Sequence, residues 1–338
     1  MNSKEFHIEF ENRLIEVEKM MNNTNKSSVL FILQVPNNSN DLLLPYTRES
    51  ISNIICFVEI SDESEISYII RKSHGIIDRV VIDIDKKREN SEKIIANIQE
   101  NLDIPYYTYS DLKMWADAAT NFLSQTTNRI NEKKVLLIGN SFLTTRVLLN
   151  LIDRGVNIYM FESDYNDGFF KYDYYNNIKI NSKRITLIEN LKVPDVHFDI
   201  LLGTNLKEEY NNKDLRDLEF TSIYDIGLNN FTKDFIKIQI DRNINVFRFD
   251  NRAGVSSIIL NLMETEYLVK YNMGKTKIAS INVVSGGIMG REGDIVVDNV
   301  YNPSTVLGVA NGSGTFKHDN ELTDKDLKNI LSINKLVN

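Results

Sequence analysis

The sequence predicts an α/β protein in three parts: an N-terminal α/β domain, a doubly wound parallel-sheet domain and a short β-rich C-terminal appendage. Three observations carry that prediction. Short apolar runs alternate with amphipathic helical patterns as far as Phe249, the mark of parallel sheets with crossover helices. One stretch, Lys134 to Asp164, reads as strand, tight turn, helix and strand in succession. The tail differs in composition: eight of the chain's 15 glycines fall between Gly274 and Gly314, among short Val and Ile runs.

In chain order, residues 4–22 have helical spacing, with Phe6, Phe10, Leu14, Val17 and Met20 apolar. Val29 to Val35 is a strand stopped by Pro36, and turn residues fill the loop to Pro45. Ile54 to Ile60 is a strand, Glu63 to Lys72 a helix, Arg79 to Ile84 a strand and Asn90 to Asn101 a helix. These elements are assigned to a domain over residues 1–108. A long helical stretch, Ser110 to Arg129, is N-capped by Ser110 or Asp111 and leads into a second domain, 109–252. Its strands are Val135 to Ile138, Val156 to Phe161, Arg184 to Ile188, Phe198 to Leu202, Thr221 to Ile226 and, at the edge, Asn245 to Phe249. The aromatic segment Asn166 to Asn181 reads as a surface loop. The third part, 253–338, opens on a helix from about Ala253 to Tyr271 that Gly274 stops. Ile278 to Val284, Ile295 to Val300 and Val306 to Val309 then read as strands, and a last helix begins near Thr323.

Within the central stretch, the helix after Gly139 carries Leu143, Val147, Leu148, Leu151 and Ile152 on one face. A strand–glycine turn–helix unit of this kind presents free N–H groups to a pyrophosphate. Glu162 lies 23 residues after Gly139 (162 − 139), near the spacing at which an acid accepts from ribose hydroxyls. The glycine fingerprint itself reads Gly139-Asn140-Ser141-Phe142-Leu143-Thr144, with only the first of three glycines present. An ordinary βαβ unit without a ligand shares these features. Other strand ends support the nucleotide reading: Gly203-Thr204-Asn205 and Asp225-Ile226-Gly227-Leu228-Asn229 end later strands, where ligands lie in doubly wound sheets. The expected cofactor-binding set is therefore Gly139, Asn140, Ser141, Phe142, Leu143, Glu162, Gly203, Thr204, Asn205, Asp225 and Gly227. Glu162-Ser163-Asp164 would repel a 2′-phosphate, so NAD is preferred to NADP.

Bulk properties narrow the classes. The chain has 338 residues, 42% apolar and 25% charged, as expected of a soluble globular protein of two ordinary domains. A net charge of −8 without a basic stripe argues against nucleic acid, and Lys86-Lys87-Arg88 reads as a solvated loop. The single cysteine, Cys56, sits in an apolar run and is expected to be a buried, inert thiol. Four scattered histidines and one cysteine give no zinc-ligand spacing. No apolar run approaches the roughly 18 residues of a membrane helix. The polar start, MNSKEFHIEFENR, is unlike a signal peptide, so a cytoplasmic protein is expected.

The order helix, KVLLIG, N-S-x-x-T, DILLG and YDIGLN resembles the NAD(P)-dependent methylenetetrahydrofolate and shikimate dehydrogenases over about residues 105–270. In the folate enzymes a G-R-S motif opens the cofactor helix and D-V-G-I-N closes a later strand. Gly139-Asn140-Ser141 and Asp225-Ile226-Gly227-Leu228-Asn229 stand at those positions here. The resemblance implies two α/β domains flanking an active-site cleft, the second Rossmann-like, and a helix returning to the first. The folate enzymes' Tyr-x-x-x-Lys and the shikimate enzymes' Ser-x-Ser and Asn-x-Thr motifs are not visible, so neither substrate carries over. The glycine-rich tail lies outside both patterns.

For catalysis, hydride transfer needs an acid or base near the reacting carbon. His74 precedes a first-domain strand and could face the cleft, although a partly exposed surface histidine is the favoured reading of it. Asp250 and Arg252 flank a strand-to-helix junction, Asp250 as acid or base and Arg252 as a clamp for a substrate carboxylate. A helix N-cap explains the same residues. Asn229 and Arg291 complete the substrate-binding candidates, Arg291 within the glycine-rich loop Ser285 to Asp294, which also reads as plain turns. The leading function is thus an NAD-dependent oxidoreductase of a small polar, amino-acid-like metabolite, with a homodimer among the expectations. An S-adenosylmethionine-dependent methyltransferase and a non-catalytic nucleotide-binding or assembly protein are the alternatives.

Overall fold

The computed structural model describes residues 3–34, 47–60, 63–85, 90–139, 141–161, 184–188, 191, 196–205, 215, 218–249 and 252–337. The chain divides into two compact units, Met1–Ile258 and Ile259–Asn338.

The first unit contains two sheets. One is built from β1 (Ser27–Gln34), β2 (Arg48–Glu49), β3 (Asn53–Ile60), β4 (Arg79–Asp83) and β5 (Tyr106–Tyr109), in the order β2-β3-β1-β4-β5. Only the β2–β3 pairing is antiparallel. Helices α1 (Ser3–Asn22), α2 (Ile66–Ser73) and α3 (Ser91–Asn101) supply Phe6, Phe10, Ile66, Ile69, Ile94 and Ile98 to a core with Leu30, Ile54, Cys56 and Val80. Cys56 is buried within it, and burial pushes its thiol up to about 12. β1 and β3 bury nearly every residue, as central parallel strands do. β5 has no counterpart in the sequence reading, because as an edge strand it buries only Tyr109 and offers no apolar run.

The second sheet follows α4 (Asp111–Thr126). It comprises β6 (Lys134–Ile138), β7 (Asn157–Phe161), β8 (Ile185–Ile188), β9 (Ile200–Gly203), β10 (Ser222–Asp225) and β11 (Asn245–Arg248). The order is β11-β10-β9-β6-β7-β8 and every pairing is parallel. Numbered within the sheet, this is the 3-2-1-4-5-6 order of dinucleotide-binding folds. α5 (Phe142–Asp153) and α4 pack on one face through Leu143, Val147, Leu151, Ala116 and Leu123. α6 (Lys233–Asp241), which the sequence reading did not identify, packs on the other through Phe235 and Ile236. Helices on both faces make the sheet doubly wound.

The amino-terminal half of α4 joins the two sheets. The Trp115 indole Nε1–H donates to the Ile226 carbonyl beyond β10 at 3.0 Å. Backbone N–H groups of Asp111 and Leu112 donate to Asp83 (3.4 Å) and Asp85 (2.8 Å) beyond β4. The carboxyl edges of both sheets therefore converge on the start of one helix.

α7 (Arg252–Tyr267) ends in a π-helical turn, Leu268–Asn272. In the second unit, β12 (Gly274–Ile278), β13 (Ile281–Ser285), β14 (Ile295–Val297) and β15 (Val306–Val309) form a four-stranded sheet in sequence order. α8 (Asp324–Val337) places Ile333 in a core with Val283, Ile295, Val297 and Val309. Two expectations are corrected here. Gly274 does not stop the helix but begins β12, the helix ending at Asn272 through its own carbonyl bonds. The run Ile278 to Val284 is a hairpin rather than one strand, turning at Ala279 and Ser280 with φ of 46° and 67°.

Candidate functional site

Strand order in the second sheet reverses between β6 and β9, and their ends carry Gly139 and Gly203-Thr204-Asn205. Gly139 has φ +143°, and a Cβ there would lie 2.5 Å from Thr204 Oγ1 and 2.7 Å from Thr144 Oγ1. Glycine is thus required by both conformation and packing. Ser141 and Thr144 occupy the second and third glycine positions of the fingerprint. Ser141 Oγ accepts from the Thr144 N–H at 3.2 Å, and Thr144 Oγ1 accepts from the Ser141 N–H at 3.0 Å, forming a reciprocal cap. The Ser141 hydroxyl donates to the Thr204 carbonyl at 3.0 Å. Thr204 Oγ1 stands 2.9 Å from both the Ile138 carbonyl and Thr144 Oγ1. Three hydroxyls therefore bind the helix to the strand ends where two glycines would let them approach.

This cap occupies the N–H of Thr144 and leaves others open. The amides of Phe142 and Leu143 have no acceptor among the described residues. They lie at the amino end of α5, where the helix dipole favours an anion; Phe142 is exposed there and Leu143 is buried. The Phe142 ring is 81% exposed beside them.

The loops after β9 and β10 are stitched together by Asn230, a residue the sequence reading passed over in favour of its neighbour Asn229. Asn230 is buried, whereas Asn229 is exposed with φ +61°. Gly227 lies so close that a Cβ would overlap the Asn205 carbonyl. Asp225 is buried, and both its oxygens approach the Asn230 N–H, at 3.4 and 3.3 Å. Burial raises the Asp225 carboxyl above its usual range, opposed by the N–H groups of Asn230, Asn229 and Leu228. Its carboxylate thus braces the positive-φ turn at Leu228 and Asn229.

The remaining expected residues divide by position. Glu162, Asn140 and Asp250 lie outside the described residues, as does the side chain of Arg252, whose backbone opens α7. His74 follows α2 and precedes β4, at the amino edge of the first sheet, exposed and 3.3 Å from Asp103. That edge is opposite the one converging on α4, so His74 is not retained as a cleft residue. Arg291 lies in the second unit, exposed, its N–H donating to the Asp294 carboxylate at 2.8 Å within a turn. Among the described residues, no three His, Cys, Asp or Glu side chains gather to hold a metal ion, and no helix is long and apolar enough to cross a membrane.

A second polar group at the carboxyl edge of the first sheet was not singled out in the sequence. It comprises Gln34 ending β1, Asp83 ending β4, Asp85, Tyr109 and Asp111. The signal was present in Ile82-Asp83-Ile84-Asp85, where acids follow a buried strand, and in Gln34, a polar residue inside an apolar run before Pro36.

No family model matches the chain, and no curated protein does. Solved structures are similar in fold. L-tryptophan dehydrogenase from Nostoc punctiforme is 11% identical with a TM-score of 0.41, over 70% of this chain and 74% of that one. A shikimate 5-dehydrogenase-like protein is 12% identical with a TM-score of 0.37, over 73% and 93%. The catalytic subunit of M. jannaschii aspartate transcarbamoylase is 11% identical with a TM-score of 0.37, over 70% and 88%. The shikimate-dehydrogenase type suspected from the sequence is thus among the folds this chain resembles.

Proposed function

We propose that the protein is a nicotinamide-dependent oxidoreductase acting on a small polar metabolite. The observation that supports this best is the coincidence of the strand-order reversal with the Gly139 turn and the exposed Phe142, whose amide has no acceptor among the described residues. The residues suit a dinucleotide: the Phe142 N–H at a helix amino end for a pyrophosphate, a turn without a side chain, and Asn205 at the neighbouring strand end. When bound, the nicotinamide supplies hydride transfer. The chain's part is to bind and orient. The Phe142 amide holds a phosphate, and Asn230 fixes the spacing of the loops at Asn205 and Gly227.

The finer assignments rest on sequence. The acids Glu162-Ser163-Asp164 favour NAD over NADP. Asp250 is the proposed acid or base, and Arg252 the group for an acidic substrate. A cytoplasmic homodimer belongs to the same reading.

The test is turnover. Purified protein is incubated with NADH or NADPH and a panel of 2-oxo acids, with and without ammonia, and nicotinamide absorbance is followed. Substrate-dependent loss supports the oxidoreductase. Nucleotide binding without turnover across the panel favours the non-catalytic reading.

A further inference from the structure

Most of the large apolar side chains exposed among the described residues lie in the second unit, with Tyr267, Leu268, Val269 and Tyr271 close together at the end of α7. From Leu260 to Asn272, through the end of α7 and its π-helical turn, no residue is buried. Earlier on the same helix, Val255 and Ile259 are buried. A helical segment of this length is marginal in water unless packing covers its apolar face.

Leu260, Glu264, Tyr267, Leu268 and Tyr271 follow the i, i+4, i+7, i+8, i+11 spacing of one helix face. Its four apolar members are between 44% and 57% exposed. The Tyr267 and Tyr271 rings lie 5.3 Å apart, as neighbours on that face. One flank carries Glu266 and Lys270, which form an ion pair within the chain. The order of these charges selects what fits. In an antiparallel pairing of two copies centred on Leu268, each Glu266 comes opposite the Lys270 of the other copy, and Glu264 comes opposite the uncharged Asn272. A parallel pairing would set Glu266 against Glu266 and Lys270 against Lys270. The flank is therefore complementary to itself about a two-fold axis, the isologous arrangement of homodimers.

We propose that this face of α7 docks a second copy of the chain, antiparallel about Leu268. Leu260, Tyr267, Leu268 and Tyr271 pack between the two helices, and Glu266 and Lys270 pair across the rim. This gives the homodimer of the foregoing reading its surface and rests on that part of it, while the nucleotide site does not enter.

The experiment is sedimentation equilibrium of the full-length protein over a range of concentrations, where a dimer is expected. Leu268→Asp sets a charge on the two-fold axis and should weaken the dimer about a hundredfold. Its circular dichroism should match the wild type, since Leu268 is already 44% exposed. Glu266→Lys and Lys270→Glu should each weaken self-association about tenfold by setting like charges opposite one another. Mixed together, these two variants should recover a dimer of near wild-type affinity. Each then supplies the charge the other lacks across the axis, while the ion pair within each chain stays broken. An effect confined to one helix is not rescued by mixing. Monomer at every concentration overturns the surface and the homodimer together. Wild-type affinity in folded Leu268→Asp, or no recovery on mixing, overturns the surface and leaves the homodimer. The cofactor reading stands or falls separately, on NADH binding.

Discussion

The side chain of Asn230 pairs with the backbone of Asn205 as a second strand would. Its Oδ1 accepts from the Asn205 N–H at 2.8 Å and its Nδ2 donates to the Asn205 carbonyl at 2.7 Å. One buried side chain thereby sets the distance between the loops after β9 and β10. Asn230→Ala leaves both Asn205 groups without this partner and should destabilise the fold by about 1–3 kcal/mol. The same change should weaken nucleotide binding beyond what stability explains. Chemical denaturation and a nucleotide titration on one sample check both; wild-type stability would show that the loops hold without the pair.

Gly139→Ala is expected to be costly for a reason that Gly287→Ala does not share. Both glycines have positive φ, but a Cβ at Gly139 meets Thr204 and Thr144, whereas one at Gly287 meets nothing within 4 Å. Backbone strain alone costs about 1 kcal/mol. Gly139→Ala should exceed Gly287→Ala by about 1–3 kcal/mol in denaturant unfolding, the penalty of overpacking. Equal losses would mean that the hydroxyl knot behind Gly139 yields freely.

The second unit should weaken in acid through Asp326. Its carboxylate accepts from the Thr323 N–H at 3.0 Å and from Lys317 Nζ at 3.1 Å, and Thr323 Oγ1 accepts in return from the Asp326 N–H. The Thr323 N–H is the largest influence holding its carboxyl below the usual 3.8. A lowered folded value means that the stabilisation is full above pH 3.8 and is lost as pH falls through that lower value. Asp326→Asn should flatten this acid limb in melts of the C-terminal β signal. An unchanged limb would assign it to other carboxylates.

The hairpin turn at Ala279-Ser280 is open to improvement. Both residues have positive φ, the conformation that Asn-Gly adopts with least strain. Ala279→Asn with Ser280→Gly should raise stability by about 1 kcal/mol, read as a higher thermal midpoint of the second unit. A lower midpoint would mean that Ala279 or Ser280 makes a contact worth more than the strain.

That same turn shows why part of the fold was hidden in the sequence. Turns are legible when Gly, Asn or Pro marks them, and Ala279-Ser280 carries no mark. Strands β6, β7, β9 and β10 were legible because buried parallel strands are continuous apolar runs that end at glycine or acid. Edge strand β5 lacked such a run. Gly139 and Thr204 could be found from strand ends, because position in a doubly wound sheet follows from order alone. Asn230 could not, since nothing local separates it from exposed Asn229. His74 could be read as an exposed surface residue, but not assigned to an edge, because a histidine before a strand looks the same at either edge until the direction of the sheet is known.

The most direct test of the central claim is a fluorescence titration of the purified chain with NADH, alongside NADPH and S-adenosylmethionine as competitors. The account predicts saturable NADH binding that Gly139→Ala abolishes or severely weakens while the protein stays folded. Absence of NADH binding to folded protein, or displacement by S-adenosylmethionine alone, would contradict it.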